Sequence, residues 1–133
     1  MAEAILRSLL PPGDEARSAG TAAWPGTARA THAIEALREI GLACADRALS
    51  LDQDLIDGAD LVLCMESHHR EAILLHFDAP PGKILLLSDW SDTLDRLGFA
   101  GIDIPDPHGG SLHDYRQVRD QMKEMIRKKI HGN

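Results

Sequence analysis

The stretch Ala59-Asp-Leu-Val-Leu-Cys-Met65, continued by Glu66-Ser-His-His-Arg70 and, beyond Pro80-Pro81-Gly82, by Lys83-Ile-Leu-Leu-Leu87, decides the fold. Leu61 to Met65 is a compact apolar run with turn-forming residues ahead of it, which predicts a buried strand. Ser67 opens a helical stretch to about Phe77, and the Pro-Pro-Gly break separates it from Lys83 to Leu87, a second buried strand. Upstream, Asp52 is placed to cap a short helix through Ile56. Helices alternating with short apolar strands predict an α/β domain with a mostly parallel sheet.

Working outward, Ala2 to Leu10 reads as a helix closed by Pro11-Pro12-Gly13, and Glu15 to Ala19 as a short strand running into Gly20. A loop from Gly20 to Ala30 holds Trp24-Pro25-Gly26. Thr31 is the expected N-cap of a second helix, with Ala30, Ile34 and Leu37 on one face and Gly41 as its stop. Residues 88 to 110, rich in Asp, Gly and Pro, read as irregular. Tyr115, Val118, Met122, Met125 or Ile126, and Lys129 or Ile130 trace a period near 3.6 on a long last helix. Its basic end (Lys123, Arg127, Lys128, Lys129) suits the negative pole of the helix dipole.

The bulk properties narrow the class. The chain has 133 residues, 44% hydrophobic and 26% charged, which fits one globular domain and excludes intrinsic disorder. No apolar run is long enough to span a bilayer, and Glu3 and Arg7 interrupt the opening residues where a secretory leader would be apolar. Two cysteines, Cys44 and Cys64, make no disulfide framework, so a reducing cytoplasm is the expected location. A net charge of −7 disfavours nucleic acid and anionic membranes as partners.

Several segments together resemble the low-molecular-weight protein-tyrosine phosphatase family. They are Met1-Ala-Glu-Ala-Ile-Leu-Arg7, Ser18-Ala-Gly-Thr21 with Trp24 and Gly26, Ala33-Ile-Glu-Ala-Leu37, Ala59-Asp-Leu-Val-Leu-Cys-Met65, and Asp106-Pro-His-Gly-Gly-Ser111 with Tyr115. The matches run in the family's order over nearly the whole chain. The resemblance implies a three-layer sandwich, a small parallel sheet flanked by helices. In the family a first strand and a Cys-x5-Arg-Ser phosphate loop precede the residues that here follow Met1. The 133 residues therefore read as one phosphatase-like domain, N-terminally truncated, without that strand or loop. The missing loop carries the thiolate nucleophile, a cradle of backbone N–H groups and the arginine that grips the phosphate.

Cys64 and Arg70 repeat the Cys-x5-Arg spacing at a strand-to-helix turn, so Cys64 is weighed as a substitute nucleophile and rejected. The segment holds no glycine to curl its amides around an anion. Glu66 inside it would repel a phosphate dianion and raise the thiol pKa. Cys64 reads instead as a small buried hydrophobe. Cys44 has no arginine at useful spacing, and no second cysteine follows Cys64 as a redox partner.

By the resemblance, Asp106 in Ile104-Pro-Asp-Pro-His-Gly-Gly110 is the general acid that protonates the leaving group. Pro107 restricts Asp106 to an extended conformation, and Asp103 lies close by but outside the matching pattern. Trp24 falls where relatives put an aromatic on the lip of the substrate pocket; it is read either as that wall or as a partly buried loop residue. His108 stands where relatives often have Tyr or Phe, and is the second expected substrate-binding residue. Asp46 replaces a histidine that in a number of relatives supports the phosphate loop. Seven histidines raise the question of a metal. None is expected, because adjacent His68 and His69 do not converge on one ion from a helix and the spacing fits no common ligand motif. No cofactor is implied.

Two functional readings follow. In the first, the chain is part of a phosphomonoesterase that works through a cysteinyl-phosphate on phosphotyrosine or phosphoarginine. It is inactive as these 133 residues, and takes a phosphorylated protein or small phosphomonoester once the loop is restored. In the second, it is a non-catalytic, phosphatase-like binding or regulatory protein, with a homo-oligomer or domain swap covering the strand edges left open.

Overall fold

The computed structural model describes residues 1–20, 31–43, 49–91, 103–107 and 109–131. In chain order these form α1 (Ala2–Leu9), α2 (Thr31–Arg38), α3 (Gln53–Gly58), β1 (Val62–Cys64), α4 (Ser67–His76), a 3₁₀ turn (Pro81–Lys83), β2 (Ile84–Leu86), α5 (Leu87–Trp90) and α6 (Leu112–His131). β1 and β2 pair in parallel, Val62 opposite Ile84, Leu63 opposite Leu85 and Cys64 opposite Leu86, with α4 as the crossover.

The two-residue period of β1 sorts its side chains into two cores. Val62 and Cys64 join Ile56, Ile73, Ile84 and Leu86 beneath α3 and α4. Leu63 and Met65 point the other way, against Ala4, Ile5, Leu37, Leu87, Ile104, Val118, Met122, Met125 and Ile126. A sheet with one helical layer on each face is the three-layer arrangement the family resemblance implies. On the second face α6 is the main support, packing on both α1 and α2.

Local signals explain where the elements stop. Asp52 accepts a hydrogen bond from the Leu55 N–H at 2.8 Å, the expected N-cap of α3. Gly41 ends α2 at φ +77°, and the Leu42 N–H donates to the Leu37 carbonyl at 2.9 Å while the Gly41 N–H donates to Arg38 at 3.0 Å. That pair of bonds is a Schellman motif, which only a residue tolerant of the left-handed region closes without strain. Thr31 is itself helical rather than a cap outside the helix.

Three expectations need correction. Glu15 to Ala19 is not a strand: among the described residues only Gly20 makes a bridge, parallel to Ser50. The Leu61–Met65 strand is three residues long, Val62–Cys64, and of those three only Cys64 is buried. Leu87 to Trp90 is a helical turn, made from the last residue of the expected second strand and the start of the stretch read as irregular.

The last helix follows its predicted face, with Tyr115, Val118, Met122, Met125 and Ile126 buried. Arg119 is buried with them, which periodicity alone does not show. Its guanidinium donates to the Ala36 carbonyl, to Glu39 and to Asp120, each at 2.8 Å, so its charge is paired rather than stranded. Arg116 donates to the same Glu39 at 2.8 Å. Together the two arginines pin α6 to the C-terminal end of α2, where helix carbonyls attract cations.

Candidate functional site

The turn from β1 into α4 organises the site. The carbonyl of Met65, one residue past the strand, accepts a hydrogen bond from the Ile104 N–H at 2.7 Å. Two residues further, Ser67 donates through its backbone N–H at 2.9 Å and its hydroxyl at 2.6 Å to one carboxylate oxygen of Asp103. Glu66, the N-cap of α4, makes no side-chain capping bond, so Asp103 supplies the cap from 36 residues away. These hydrogen bonds hold the Asp103 carboxyl below the usual carboxylate range, with His68 and His69 adding a smaller pull. Ile104 is buried in the larger core, against which Met1 and Met65 also pack. The segment that carries Asp106 is thus stitched to the carboxyl end of β1.

Asp106 is exposed two residues beyond this anchor, between Pro105 and Pro107. The loop then closes in a turn: the Gly110 N–H donates to the Pro107 carbonyl at 2.8 Å. A Cβ at Gly110 would lie 2.9 Å from that carbonyl oxygen and 2.6 Å from an Asp114 carboxylate oxygen, so the turn leaves no room for a side chain. His32 of α2 approaches from the other side, its Nδ1 3.2 Å from the Gly110 carbonyl and its ring edge-on to Tyr115 at 5.7 Å. Burial raises the Tyr115 phenol pKa, and the nearby charge of Asp106 raises it further. Trp24 and His108, the two expected substrate-binding residues, lie outside the described residues, as do Cys44 and Asp46.

The geometry of Cys64 agrees with its rejection as a nucleophile. The thiol is buried, and desolvation pushes its pKa up to about 11 against a weaker opposing pull from Arg70. Arg70 is engaged elsewhere: Nε donates to the Ile84 carbonyl at 2.7 Å and Nη2 to the Pro81 carbonyl at 3.1 Å. It ties α4 to the start of β2 instead of projecting towards an anion.

Sequence reasoning left out the Met65, Ser67 and Asp103 anchor. The one signal for it was a helix start whose own N-cap position, Glu66, is a poor capping residue. The histidine pair sits at the start of α4. The His68 and His69 rings lie 4.1 Å apart, and the ligand atoms of Glu66, His68 and His69 fall within 4.8 Å of one another.

The Asp103–Pro107 segment, hydrogen-bonded to the turn just past β1, lies at the carboxyl end of a parallel strand, where open α/β sheets bind their ligands. The chain belongs to the family described as low molecular weight phosphotyrosine protein phosphatase, whose profile matches residues 1–131. It is 35% identical over 126 residues to a protein-arginine-phosphatase of Geobacillus stearothermophilus, covering 95% of this chain and 81% of the relative. It is 30% identical over 128 residues to the low molecular weight protein-tyrosine-phosphatase PtpB of Staphylococcus haemolyticus, covering 96% and 86%. The solved YwlE arginine phosphatase from Geobacillus stearothermophilus superposes with a TM-score of 0.88 at 32% identity, over 98% of this chain and 81% of that one. No helix among the described residues is long and apolar enough to cross a membrane.

Proposed function

We propose that the chain provides the scaffold and acid loop of a protein phosphatase, with Asp106 as general acid and then general base, and Trp24 and His108 lining the substrate pocket. The reaction is thiolate attack on phosphorus, formation of a cysteinyl-phosphate while Asp106 protonates the leaving group, and hydrolysis by a water that Asp106 deprotonates. Phosphoarginine is the favoured substrate class. The higher identity to the protein-arginine-phosphatase supports it, and a guanidine is a strongly basic leaving group that needs a proton as its bond to phosphorus breaks. The observation that carries the reading is the anchoring of an exposed, proline-flanked Asp106 at the carboxyl end of β1.

The nucleophile belongs to the family's Cys-x5-Arg-Ser loop, which is not among these 133 residues. The chain by itself is therefore expected to leave p-nitrophenyl phosphate and phosphoarginine unhydrolysed. Activity that disappears in Cys64→Ser would overturn this. With a family strand and Cys-x5-Arg-Ser segment fused ahead of Met1, turnover is expected, and Asp106→Asn should lower kcat by about 10²–10⁴-fold. Undiminished turnover in that variant would remove Asp106 from the mechanism.

A further inference from the structure

We propose that Glu66, His68 and His69 form a binding site for one divalent zinc ion at the start of α4, independent of the phosphatase reading. Two imidazoles and a carboxylate are a donor set that zinc uses in four-coordinate sites, with the fourth position open to water or a further oxygen. The ligand atoms already lie within 4.8 Å of one another. Metal–ligand bonds of about 2.1 Å place tetrahedral donors about 3.4 Å apart, so the cluster needs to contract by little more than an ångström at its widest. One edge is already at that spacing: His68 Nε2 and a Glu66 oxygen are 3.4 Å apart. The His68 side chain is 66% exposed, so it turns inwards without disturbing the core.

Electrostatics support a cation despite the helix N-terminus beneath it. The positive pole of α4 opposes a metal ion, but two carboxylates offset it. Glu66 is a ligand, and Asp103 accepts the Ser67 N–H that would otherwise point at the ion. Glu66 and Asp103 together match the double charge of zinc, and the open side of the cluster gives the ion a path in from solvent. The donor set selects zinc over calcium or magnesium, which prefer oxygen cages.

The test is calorimetric titration of the tag-free 133-residue chain with zinc chloride in a non-chelating buffer, in a Cys44→Ser/Cys64→Ser background that removes thiolate ligands. One zinc per chain is expected, with affinity falling at acid pH as protons displace the metal from the imidazoles. His68→Ala and His69→Ala should each weaken binding by at least about 100-fold, and His113→Ala should not change it. Unchanged binding in the His68→Ala/His69→Ala double variant, or no saturable binding at all, would overturn the proposal. Cobalt(II) added to the otherwise unmutated chain is a second readout that needs no histidine variant to fold. Paramagnetic broadening should centre on the His68 and His69 ring signals, and broadening centred elsewhere refutes the site.

Discussion

Alkylation of Cys64 tests whether this chain carries a nucleophile of its own. Burial holds the thiol at about 11. At pH 7 the thiolate fraction is then about 1 in 10,000, against about 3% for an ordinary thiol near 8.5, a deficit of roughly 300-fold. A more basic thiolate is intrinsically more nucleophilic, and with a Brønsted slope of about 0.45 this returns roughly tenfold. Ionisation alone therefore predicts reaction about 20- to 30-fold slower than in the unfolded chain, and the buried position of the sulfur slows it further. The assay is iodoacetamide labelling of a Cys44→Ser chain, followed by mass spectrometry, in native buffer and in urea. Native labelling should also accelerate about tenfold for each pH unit between 6.5 and 8, because the thiolate is the reactive form throughout that range. A phosphatase thiolate, already ionised there, would give a flat profile. A plateau below pH 8, or native labelling as fast as in urea, would refute the assignment of Cys64 as a buried hydrophobe.

Glu39 links stability to pH: hydrogen bonds from Arg116 and Arg119 hold its carboxyl at about 2 rather than 4.5. Its stabilising contribution is present in full above pH 4.5 and is lost as pH falls towards 2, so Glu39→Gln should make acid unfolding shallower over that window in a circular-dichroism titration. Gly41→Ala forces a side chain into the left-handed region at φ +77° and should cost about 1 kcal/mol, read as a lower urea midpoint; an unchanged midpoint would contradict the Schellman assignment. Asp103→Asn weakens the bonds from Ser67 and should speed amide hydrogen exchange at Ser67 and Ile104 while leaving exchange at Met125 unaltered.

Much of the fold was legible because its signals are local. Asp52 caps a helix from three residues away, Gly41 ends one, and the spacing from Tyr115 to Ile126 marks a buried face. The Leu61–Met65 run was read too long and too buried, since an apolar run reports the capacity for burial and not the neighbours that provide it. Arg119 was missed for the converse reason. Its side chain is polar by type, and only α2 arriving with the Ala36 carbonyl and Glu39 makes burial tolerable.

The sequence by itself determined the alternation of strand and helix, the family, and the Asp-Pro segment that matches the family's acid. Each of these rests on residue order over short spans. Only the tertiary structure decided where that segment is held. Asp103 caps α4 and Ile104 bonds Met65 across 36 and 39 positions, and no periodicity encodes a hydrogen bond between elements so far apart. Tertiary structure likewise separated Cys64 from Arg70. A spacing of five intervening residues suits a phosphate loop, but a sulfur turned into the core beneath α4 and a guanidinium bound to the carbonyls of Pro81 and Ile84 cannot meet on one anion.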